Sequence, residues 1–216
     1  LLKDPKAFYQ SVCATDLSNA FGSSEIDLIV ETMKSFFSPL ALRFLRSFLS
    51  QSSVTVEAHG KRSKNFVTSP RGYPQGSALS PLLFLLLMSK THDNKFGSSM
   101  FTFADDNNLA CSFENDLDHI ENATSALKCF TNFCSDFSLK INSKKTFFTV
   151  LKRSRNQTES RLTLSIESEA LKKVDSINML GVRMDRGLQF NPHFDHFLRT
   201  IKVRCSYIKK YIQKCH

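Results

Sequence analysis

The sequence predicts an α+β fold in which helices flank an antiparallel sheet. Short apolar segments typical of strands alternate with longer segments in which apolar residues recur at helical spacing. Two pairs of strand-like segments, at residues 54–68 and 96–113, are joined by turn sequences, which is typical of hairpins. With 216 residues, of which 41% are hydrophobic and 23% charged, the chain is suited to one sizeable core rather than to a disordered tail.

The first part of the chain contains a strand, two helices, a hairpin and a third helix. An apolar strand covers residues 11–16 and ends at Asp16. Ser23 and Ser24 are candidate N-caps for a helix over residues 25–37, and a second helix covers residues 40–49 after the interruption at Pro39. The hairpin at residues 54–68 is followed by a loop rich in Pro and Gly over 70–76 and by an apolar helix over 81–88.

The second part centres on an acidic turn. Strands over residues 96–104 and 108–113 flank Asp105 and Asp106, which we place at the tip of a hairpin whose two strands are buried. A helix then covers residues 115–137, a polar loop covers 152–161, and the segments predicted to be extended are 139–142, 146–151, 162–166 and 177–184. A last helix runs from Asn191 to about residue 213. We expect its broken apolar stripe to pack on the rest of the molecule, through Phe194, Phe197, Ile201, Tyr207, Ile208 and Tyr211.

Positive charge is concentrated at the end of the chain. Residues 1–150 contain 15 basic and 14 acidic side chains, whereas residues 151–216 contain 14 basic and 6 acidic ones. The basic third is a candidate surface for a polyanion such as nucleic acid, and an ordinary solvated helix face is the alternative. The six cysteines form no C-x-x-C pair, which favours an intracellular location in the nucleus or cytoplasm. The longest apolar run, residues 81–88, is too short for a membrane span, so we expect no membrane partner.

Three acidic residues are candidates for a metal site. Asp16 ends one strand, and Asp105 and Asp106 lie between two others. If the first strand pairs beside the hairpin, the carboxylates meet in one cluster. Hard oxygen ligands of this kind suit Mg²⁺, and two such ions about 4 Å apart are used for in-line phosphoryl transfer. An exposed Asp-Asp turn without chemistry is the alternative.

Five segments, in the same order along the chain, resemble the palm motifs of a reverse transcriptase. Residues 15–21, 73–84 and 103–106 resemble motifs A, B and C, residues 138–146 resemble motif D, and residues 180–190 resemble the primer-grip region. The pattern is most similar to the non-long-terminal-repeat retrotransposons of the LINE-like and jockey-like kind. Its most specific part is the block Tyr73-Pro-Gln-Gly-Ser-Ala-Leu-Ser-Pro-Leu-Leu-Phe84, although Tyr73 replaces the small aliphatic residue that is usual there.

The resemblance implies a polymerase palm in which helices flank an antiparallel sheet. Residues 1–150 would be the palm core, with a partial fingers insertion at about 38–70. Residues 151–190 would form a primer-grip-like hairpin region, and the basic helix over 191–216 would be the start of a thumb. The resemblance also implies that the N-terminal fingers are absent and that the chain is a piece of a longer polymerase.

The resemblance assigns a catalytic set. Asp16, Asp105, Asp106 and Lys145 would be the catalytic residues. The metal set would be Asp16, the backbone carbonyl of Leu17, Asp105 and Asp106, with Asp16 and Asp105 holding two Mg²⁺ ions, for which Mn²⁺ is a possible substitute. Lys145, or alternatively Lys144, would meet the leaving pyrophosphate. Solvated loop lysines are the plainer interpretation of both.

The resemblance also assigns substrate contacts. Phe21 would lie against the nucleotide sugar and exclude a 2′-hydroxyl, and Gln75 and Gly76 would lie beneath the templating base pair. The partners implied are an RNA template, a DNA primer and deoxynucleoside triphosphates, with the nucleic-acid backbone contacted by Lys202, Lys209 and Lys210. Core packing of Phe21 and an ordinary Pro-Gln-Gly turn are the alternatives.

The function implied is that of an RNA-directed DNA polymerase, a nucleotidyltransferase that adds deoxynucleotides to a primer 3′-hydroxyl. A catalytically inert or domesticated nucleic-acid-binding relic of such a polymerase is the main alternative. A viral RNA polymerase is disfavoured because Phe21 stands where those enzymes carry an Asp. A metal phosphohydrolase would leave the block around Gln75 unexplained.

Overall fold

The computed structural model describes residues 9–50, 53–67, 71–93, 99–152 and 160–214. The helices are α1 (Ala20–Ser23), α2 (Ile26–Thr32), α3 (Pro39–Ser50), α4 (Leu79–Ser89), α5 (Asp116–Asp136) and α6 (Asn191–Lys214). Turns of 3₁₀ helix cover Met33–Ser35, Lys90–Asp93 and Ser143–Lys145. The strands are β1 (Tyr9–Ser18), β2 (Ser53–Val54), β3 (Glu57–Ala58), β4 (Lys61–Arg62), β5 (Phe66–Val67), β6 (Ser99–Phe103), β7 (Asp106–Phe113), β8 (Lys140–Ile141), β9 (Phe147–Leu151), β10 (Ser165–Ile166), β11 (Glu169–Ala170), β12 (Lys172–Lys173), β13 (Ser176–Met179) and β14 (Val182–Asp185).

The main sheet has the strand order β12-β9-β1-β7-β6, and β8 pairs with the end of β1. The central strand, β1, pairs antiparallel with β7 on one side and with β9 on the other. Its register with β7 runs from Tyr9 opposite Phe113 to Asp16 opposite Asp106. The prediction that strand 11–16 lies beside the hairpin at 101–113 in an antiparallel sheet is therefore confirmed.

The two faces of the sheet carry different residues, because side chains alternate along a strand. One face contributes Cys13 and Leu17 of β1 to the large core, which also contains buried residues of α2, α4 and α5. The largest side chains in that core, Phe84 and Phe130 among them, are completely buried. The helices predicted over 25–37, 81–88 and 115–137 thus contribute to the core on this face.

The opposite face of the sheet is covered by the hairpin β13–β14. Ile177 and Met184 of the hairpin pack with Val12, Ala110 and Leu151 in a second, smaller core. The prediction of one continuous strand over 177–184 is wrong. The chain reverses at Leu180 and Gly181, whose φ angles are 52° and 79°, and an apolar leucine gives no sequence signal for a left-handed turn position.

The acidic turn differs from its predicted form. Phe103 lies opposite Asp106, so the turn consists of Ala104 and Asp105, and Asp106 is the first residue of a strand. The prediction that both flanking strands are buried is also wrong. Within the described sheet, β6 lies at the edge and leaves Phe103 67% exposed, whereas β7 has a neighbour on each side. Residues 96–98 of the predicted strand lie outside the described residues.

Other differences are local. The N-cap position of α2 is Glu25, without a side-chain cap, so the N-cap prediction is wrong. Ser24 instead donates a hydrogen bond of 3.0 Å from its hydroxyl to the carbonyl of Phe137, and Ser23 belongs to α1. The predicted hairpin at 54–68 contains the pairs β2–β5 and β3–β4. Most of the loop predicted over 152–161 lies outside the described residues.

Helix α6 projects from the hairpin, and its main contact is with β14. Its apolar stripe was expected to pack on the rest of the molecule, and this expectation is wrong for the described residues. The stripe residues Phe194, Phe197, Ile201, Tyr207, Ile208 and Tyr211 are between 41% and 72% exposed. No helix in the described ranges is both long enough and apolar enough to pass through a membrane.

The cysteines of the described residues differ in exposure. Cys13, Cys111 and Cys134 are buried in the large core, while Cys129 of α5 and Cys205 of α6 are exposed. Burial raises the pKa of Cys13 to about 12, with a smaller contribution from Cys111. Burial alone raises the pKa of Cys134 to about 12. The thiols of Cys13 and Cys134 are therefore unreactive at neutral pH.

Candidate active site

A cavity of about 770 Å³ lies at the end of β1 and β7, beside the hairpin β13–β14. Its acidic wall consists of Asp16, Asp105 and Asp106. Its basic lining residues are Lys145, Lys172 and Arg183, and the remaining lining residues are Ala14, Thr15, Phe147, Val174, Ser176, Ile177 and Asn178. The residues predicted to form the catalytic set therefore share one cavity.

The spacing of the three aspartates follows from the sheet. Asp16 and Asp106 are register partners, which places their Cα atoms about 5 Å apart. Asp105 precedes Asp106 directly, so its Cα lies no more than about 9 Å from that of Asp16. The Asp16 side chain is 38% exposed, and Asp105 is exposed. Two carboxylates at this separation can share metal ions, and solvent can reach both.

Asp16 is held through its backbone by the segment that follows β8. Its N–H donates to Thr146 Oγ1 at 3.3 Å, and its carbonyl accepts from the N–H of Asn142 at 2.8 Å. The Thr146 hydroxyl in turn donates to the Asn142 carbonyl at 2.8 Å. The segment resembling motif D thus fixes the backbone from which the Asp16 carboxylate projects.

Two asparagines hold the other aspartates. Asn107 Nδ2 donates to the carbonyl of Asp105 at 3.0 Å, and Asn108 Nδ2 donates to Asp106 Oδ1 at 3.0 Å. Both asparagines are fully buried. Sequence reasoning missed them, although the two-residue period of a strand places Asn108 on the same face as Asp106.

The structure distinguishes the two candidate lysines of the motif D segment. Lys145 lines the cavity, and its Nζ lies 3.8 Å from Asp16 Oδ2. Lys144 is exposed and is not among the lining residues. Lys172 and Arg183 are further basic lining residues that the sequence analysis did not select. Arg183 is oriented by a hydrogen bond of 3.0 Å from its Nε to Ser176 Oγ.

Phe21 and the Pro-Gln-Gly loop form a second group, which does not line the cavity. The Phe21 ring packs against those of Phe84, at 4.8 Å between centroids, and Tyr73, at 6.1 Å. The N–H of Tyr73 donates to the Phe21 carbonyl at 2.6 Å. Gly72 has a φ of +80°, and a Cβ there would lie 2.4 Å from the Phe21 carbonyl oxygen, so only glycine allows this close contact.

The remaining predicted residues occupy different surroundings. Gln75 and Gly76 are exposed at the surface of the loop. Leu17 is buried in the large core and pairs with Ile141 of β8, and it is not among the residues that line the cavity. On α6, all three predicted nucleic-acid contacts are exposed, namely Lys202, Lys209 and Lys210.

Comparison with known proteins assigns the family. A family model described as reverse transcriptase (RNA-dependent DNA polymerase) matches residues 3–184. The chain belongs to the reverse transcriptase family. An RNA-directed DNA polymerase from the mobile element jockey of Drosophila melanogaster is 22% identical over 198 residues, which are 88% of this chain and 21% of the relative. A probable RNA-directed DNA polymerase from transposon BS of the same species is 27% identical over 213 residues, covering 91% of this chain and 22% of the relative.

These relatives confirm the resemblance to jockey-like retrotransposon reverse transcriptases. The chain spans about a fifth of the length of the curated relatives it matches. Among solved structures, apo telomerase from Candida tropicalis, truncated from its C-terminal domain, is 12% identical with a TM-score of 0.58. That match covers 88% of this chain and 36% of the telomerase chain. The predicted α+β fold of a polymerase palm is thereby confirmed.

The acidic wall fits the divalent cation expected of a reverse transcriptase. In the described part of the chain, no group of three or more His, Cys, Asp or Glu side chains is arranged to hold a metal ion. Mg²⁺ usually takes only one or two carboxylates and fills its remaining positions with water and substrate phosphates. Two exposed carboxylates beside an open cavity match that requirement better than they match a closed structural site.

Proposed function

We propose that this chain is the palm of an RNA-directed DNA polymerase of a LINE-like, jockey-like retrotransposon. The reaction proposed is the addition of deoxynucleotides to the 3′-hydroxyl of a DNA primer on an RNA template. The observation that carries the proposal is the pairing of Asp16 with Asp106, next to Asp105, in one open cavity of a reverse transcriptase family member.

The acidic wall would hold the metal ions. Asp16 and Asp105 are the proposed ligands of two Mg²⁺ or Mn²⁺ ions, together with the Leu17 carbonyl, and Asp106 adds its charge beside them. Bound Mg²⁺ would supply charge neutralisation and a lowered pKa for the attacking hydroxyl. Lys145 is the proposed electrostatic partner of the leaving pyrophosphate, because its ammonium group already faces the acidic wall at 3.8 Å from Asp16.

The substrate contacts proposed lie around this cavity. Phe21 would face the nucleotide sugar and would be held there by its contacts with Tyr73 and Phe84. Gln75 and Gly76 would lie under the templating base pair. A telomerase from Candida tropicalis in complex with a TWJ fragment of telomeric RNA has the same fold, with a TM-score of 0.59 and 12% identity. The match covers 88% of this chain and 30% of the telomerase chain. This likeness is compatible with a nucleic-acid partner.

The chain would then divide into the segments that the palm implies. Residues 1–150 would be the palm core, 151–190 the primer-side hairpin region and 191–216 a basic helix that contacts the primer–template through Lys202, Lys209 and Lys210. The absence of a C-x-x-C pair from the sequence agrees with an intracellular site of action, in the nucleus or cytoplasm.

A primer-extension assay with the full chain tests the proposal. The chain, a DNA primer annealed to RNA, Mg²⁺ and deoxynucleotides should give extended primer, and Asp16→Asn with Asp105→Asn should remove extension while binding remains. Asp136→Asn, at the exposed end of α5, is the matched control and should extend normally. Binding without extension in the unsubstituted chain would instead favour the inert nucleic-acid-binding relic.

A further inference from the structure

The three aspartates of the cavity differ in how much of their hydrogen-bonding capacity the protein already uses. Both carboxylate oxygens of Asp106 accept from the protein. Oδ1 accepts from Asn108 Nδ2 at 3.0 Å, and Oδ2 accepts from the backbone N–H of Leu180 at 3.4 Å. Asp16 has the flexible Lys145 at 3.8 Å. Asp105 is exposed, and its carboxylate makes no hydrogen bond within the described residues.

The two donors to Asp106 come from different parts of the fold. Asn108 is two residues further along β7 and is completely buried, so its amide has a fixed direction. Leu180 lies at the tip of the hairpin β13–β14, next to Gly181, where both residues have left-handed φ angles. Positive φ angles at both central residues are those of a type I′ turn, whose twist matches that of the two strands it joins.

The hairpin is attached to the sheet at two levels. Its base is held by the packing of Ile177 and Met184 on Val12, Ala110 and Leu151. Its tip is 53% exposed at Leu180, so apolar packing contributes little there. A hydrogen bond from the Leu180 N–H to Asp106 joins this exposed tip to the strand that follows the acidic turn.

We propose that Asp106 anchors the tip of the hairpin β13–β14 over the cavity, and that Asn108 is the positioning residue that orients the Asp106 carboxylate for this contact. The three aspartates would then have different roles. Asp16 and Asp105 remain open to the cavity, while Asp106 couples the acidic turn to the hairpin. This inference rests on the proposed function only where it concerns the primer, because the anchor itself is a property of the folded chain.

Amide hydrogen exchange of Leu180, measured by NMR on the full chain, tests the anchor without any activity. A hydrogen bond to a charged group stabilises the closed state of the donor amide against exchange. Its loss in Asp106→Ala should therefore speed exchange of the Leu180 amide by about tenfold. Asn108→Leu, similar in size but without a donor, should speed it in the same direction. Thr149→Val is the matched control. It removes a buried polar group without a described partner next to Val12, and it should leave Leu180 unchanged.

The outcome that overturns the anchor is an unchanged Leu180 exchange rate in both Asp106→Ala and Asn108→Leu while the amides of β7 stay protected. If Asn108→Leu fails to fold, Asn108→Ala serves the same comparison. A second readout is the Leu180 amide chemical shift, which should move when Asp106→Ala removes the acceptor of its hydrogen bond. An unchanged Leu180 amide chemical shift in Asp106→Ala would contradict this contact.

The functional consequence is measured separately in primer extension. In Asn108→Leu the KM for primer–template should rise several-fold, while the KM for the deoxynucleotide stays the same, because the hairpin rather than the nucleotide side is loosened. Absence of extension in the unsubstituted chain would contradict the proposed function and leave the exchange result standing. Normal extension with an unchanged Leu180 amide would contradict the anchor and leave the proposed function standing.

Discussion

Lys144 and Lys145 are adjacent in the chain, and only Lys145 lines the cavity with the aspartates. We expect Lys145→Met to lower kcat for primer extension by about 10²-fold, the usual effect of removing one preorganised group that stabilises developing charge. Lys144→Met is the matched control, because it removes the same charge one residue away, and it should change kcat by less than about threefold. Equal losses in single-turnover extension by the two variants would show that only net charge matters here.

His119 connects three segments inside the protein. Its Nε2 lies 2.8 Å from Ser11 Oγ of β1, and its Nδ1 lies 3.5 Å from Ser160 Oγ and 4.0 Å from Asp116 Oδ1. Ser160 also donates to Asp116. Burial lowers the pKa of His119 from its ordinary value of 6.5, and the charge of Asp116 opposes this shift only in part. The neutral form is therefore the one that the fold requires.

The pH dependence of stability follows from that direction. The unfolded chain takes up a proton at His119 near pH 6.5, and the folded chain does so only at lower pH. The contribution of His119 to the free energy of unfolding is therefore complete above about pH 6.5 and is lost as the pH falls. We expect the free energy of unfolding to fall between pH 7.5 and pH 5 by more in the unsubstituted chain than in His119→Gln. Urea denaturation at both pH values measures this. His196→Gln, exposed on α6, should behave as the unsubstituted chain does.

The motif residues were predictable because their order and spacing are specific. Asp16, Asp105 and Asp106 were selected from the sequence, and the structure places them in one cavity. Asn108 was not selected, because a single asparagine in a strand belongs to no motif. Its role depends on its position two residues after Asp106, on the same face of the strand. Tyr73 was recognised only as a departure from the usual pattern. It is buried against Phe21, and its hydroxyl has no described hydrogen-bond partner.

At the scale of elements, helix α6 combines exposed basic and exposed apolar residues. We expect replacement of Lys202, Lys209 and Lys210 by Ala to weaken binding of primer–template to a similar extent for all sequences. The slope of log K against log salt should become shallower by about 0.9 for each residue that contacts a phosphate. Filter binding across a salt series measures both. The charge-preserving control is the triple replacement by Arg, which should keep the affinity, and a triple Ala variant with unaltered binding would identify a solvated face.

Element types were predictable where one periodicity runs over many residues. The 21-residue helix α5 and the long strand β1 are examples. The apolar pattern over 177–184 predicted one strand instead of the hairpin β13–β14, because Leu180 occupies a turn position that the pattern assigns to a strand, and only the resemblance indicated a hairpin in this region. The packing of α6 was mispredicted because an apolar stripe shows that a surface can be covered, while it does not show what covers it.

At the scale of the whole molecule, the open acidic wall predicts that ligands stabilise the fold. Mg²⁺ added with primer–template and deoxynucleotide should raise Tm, since ligand at about 100 times its Kd stabilises a protein by about 2.7 kcal/mol. For a chain of this size each kcal/mol corresponds to about 2–4 °C. Asp16→Asn with Asp105→Asn should lose the rise that depends on Mg²⁺, and Asp136→Asn should keep it. A rise of equal size in the double variant would place the metal elsewhere.

The distribution of cysteines makes the native chain suitable for fluorescence labelling. Three thiols are sealed in the core, and the two exposed ones among the described residues lie on different helices, Cys129 on α5 and Cys205 on α6. With Cys215, which lies outside the described residues, replaced by Ser, a donor and an acceptor dye can be attached without introducing any new cysteine. Energy transfer between them then reports the distance from the helix packed on the sheet to the projecting helix. A change in that distance when primer–template is added, measured on single molecules, would show that α6 moves relative to α5 on binding nucleic acid.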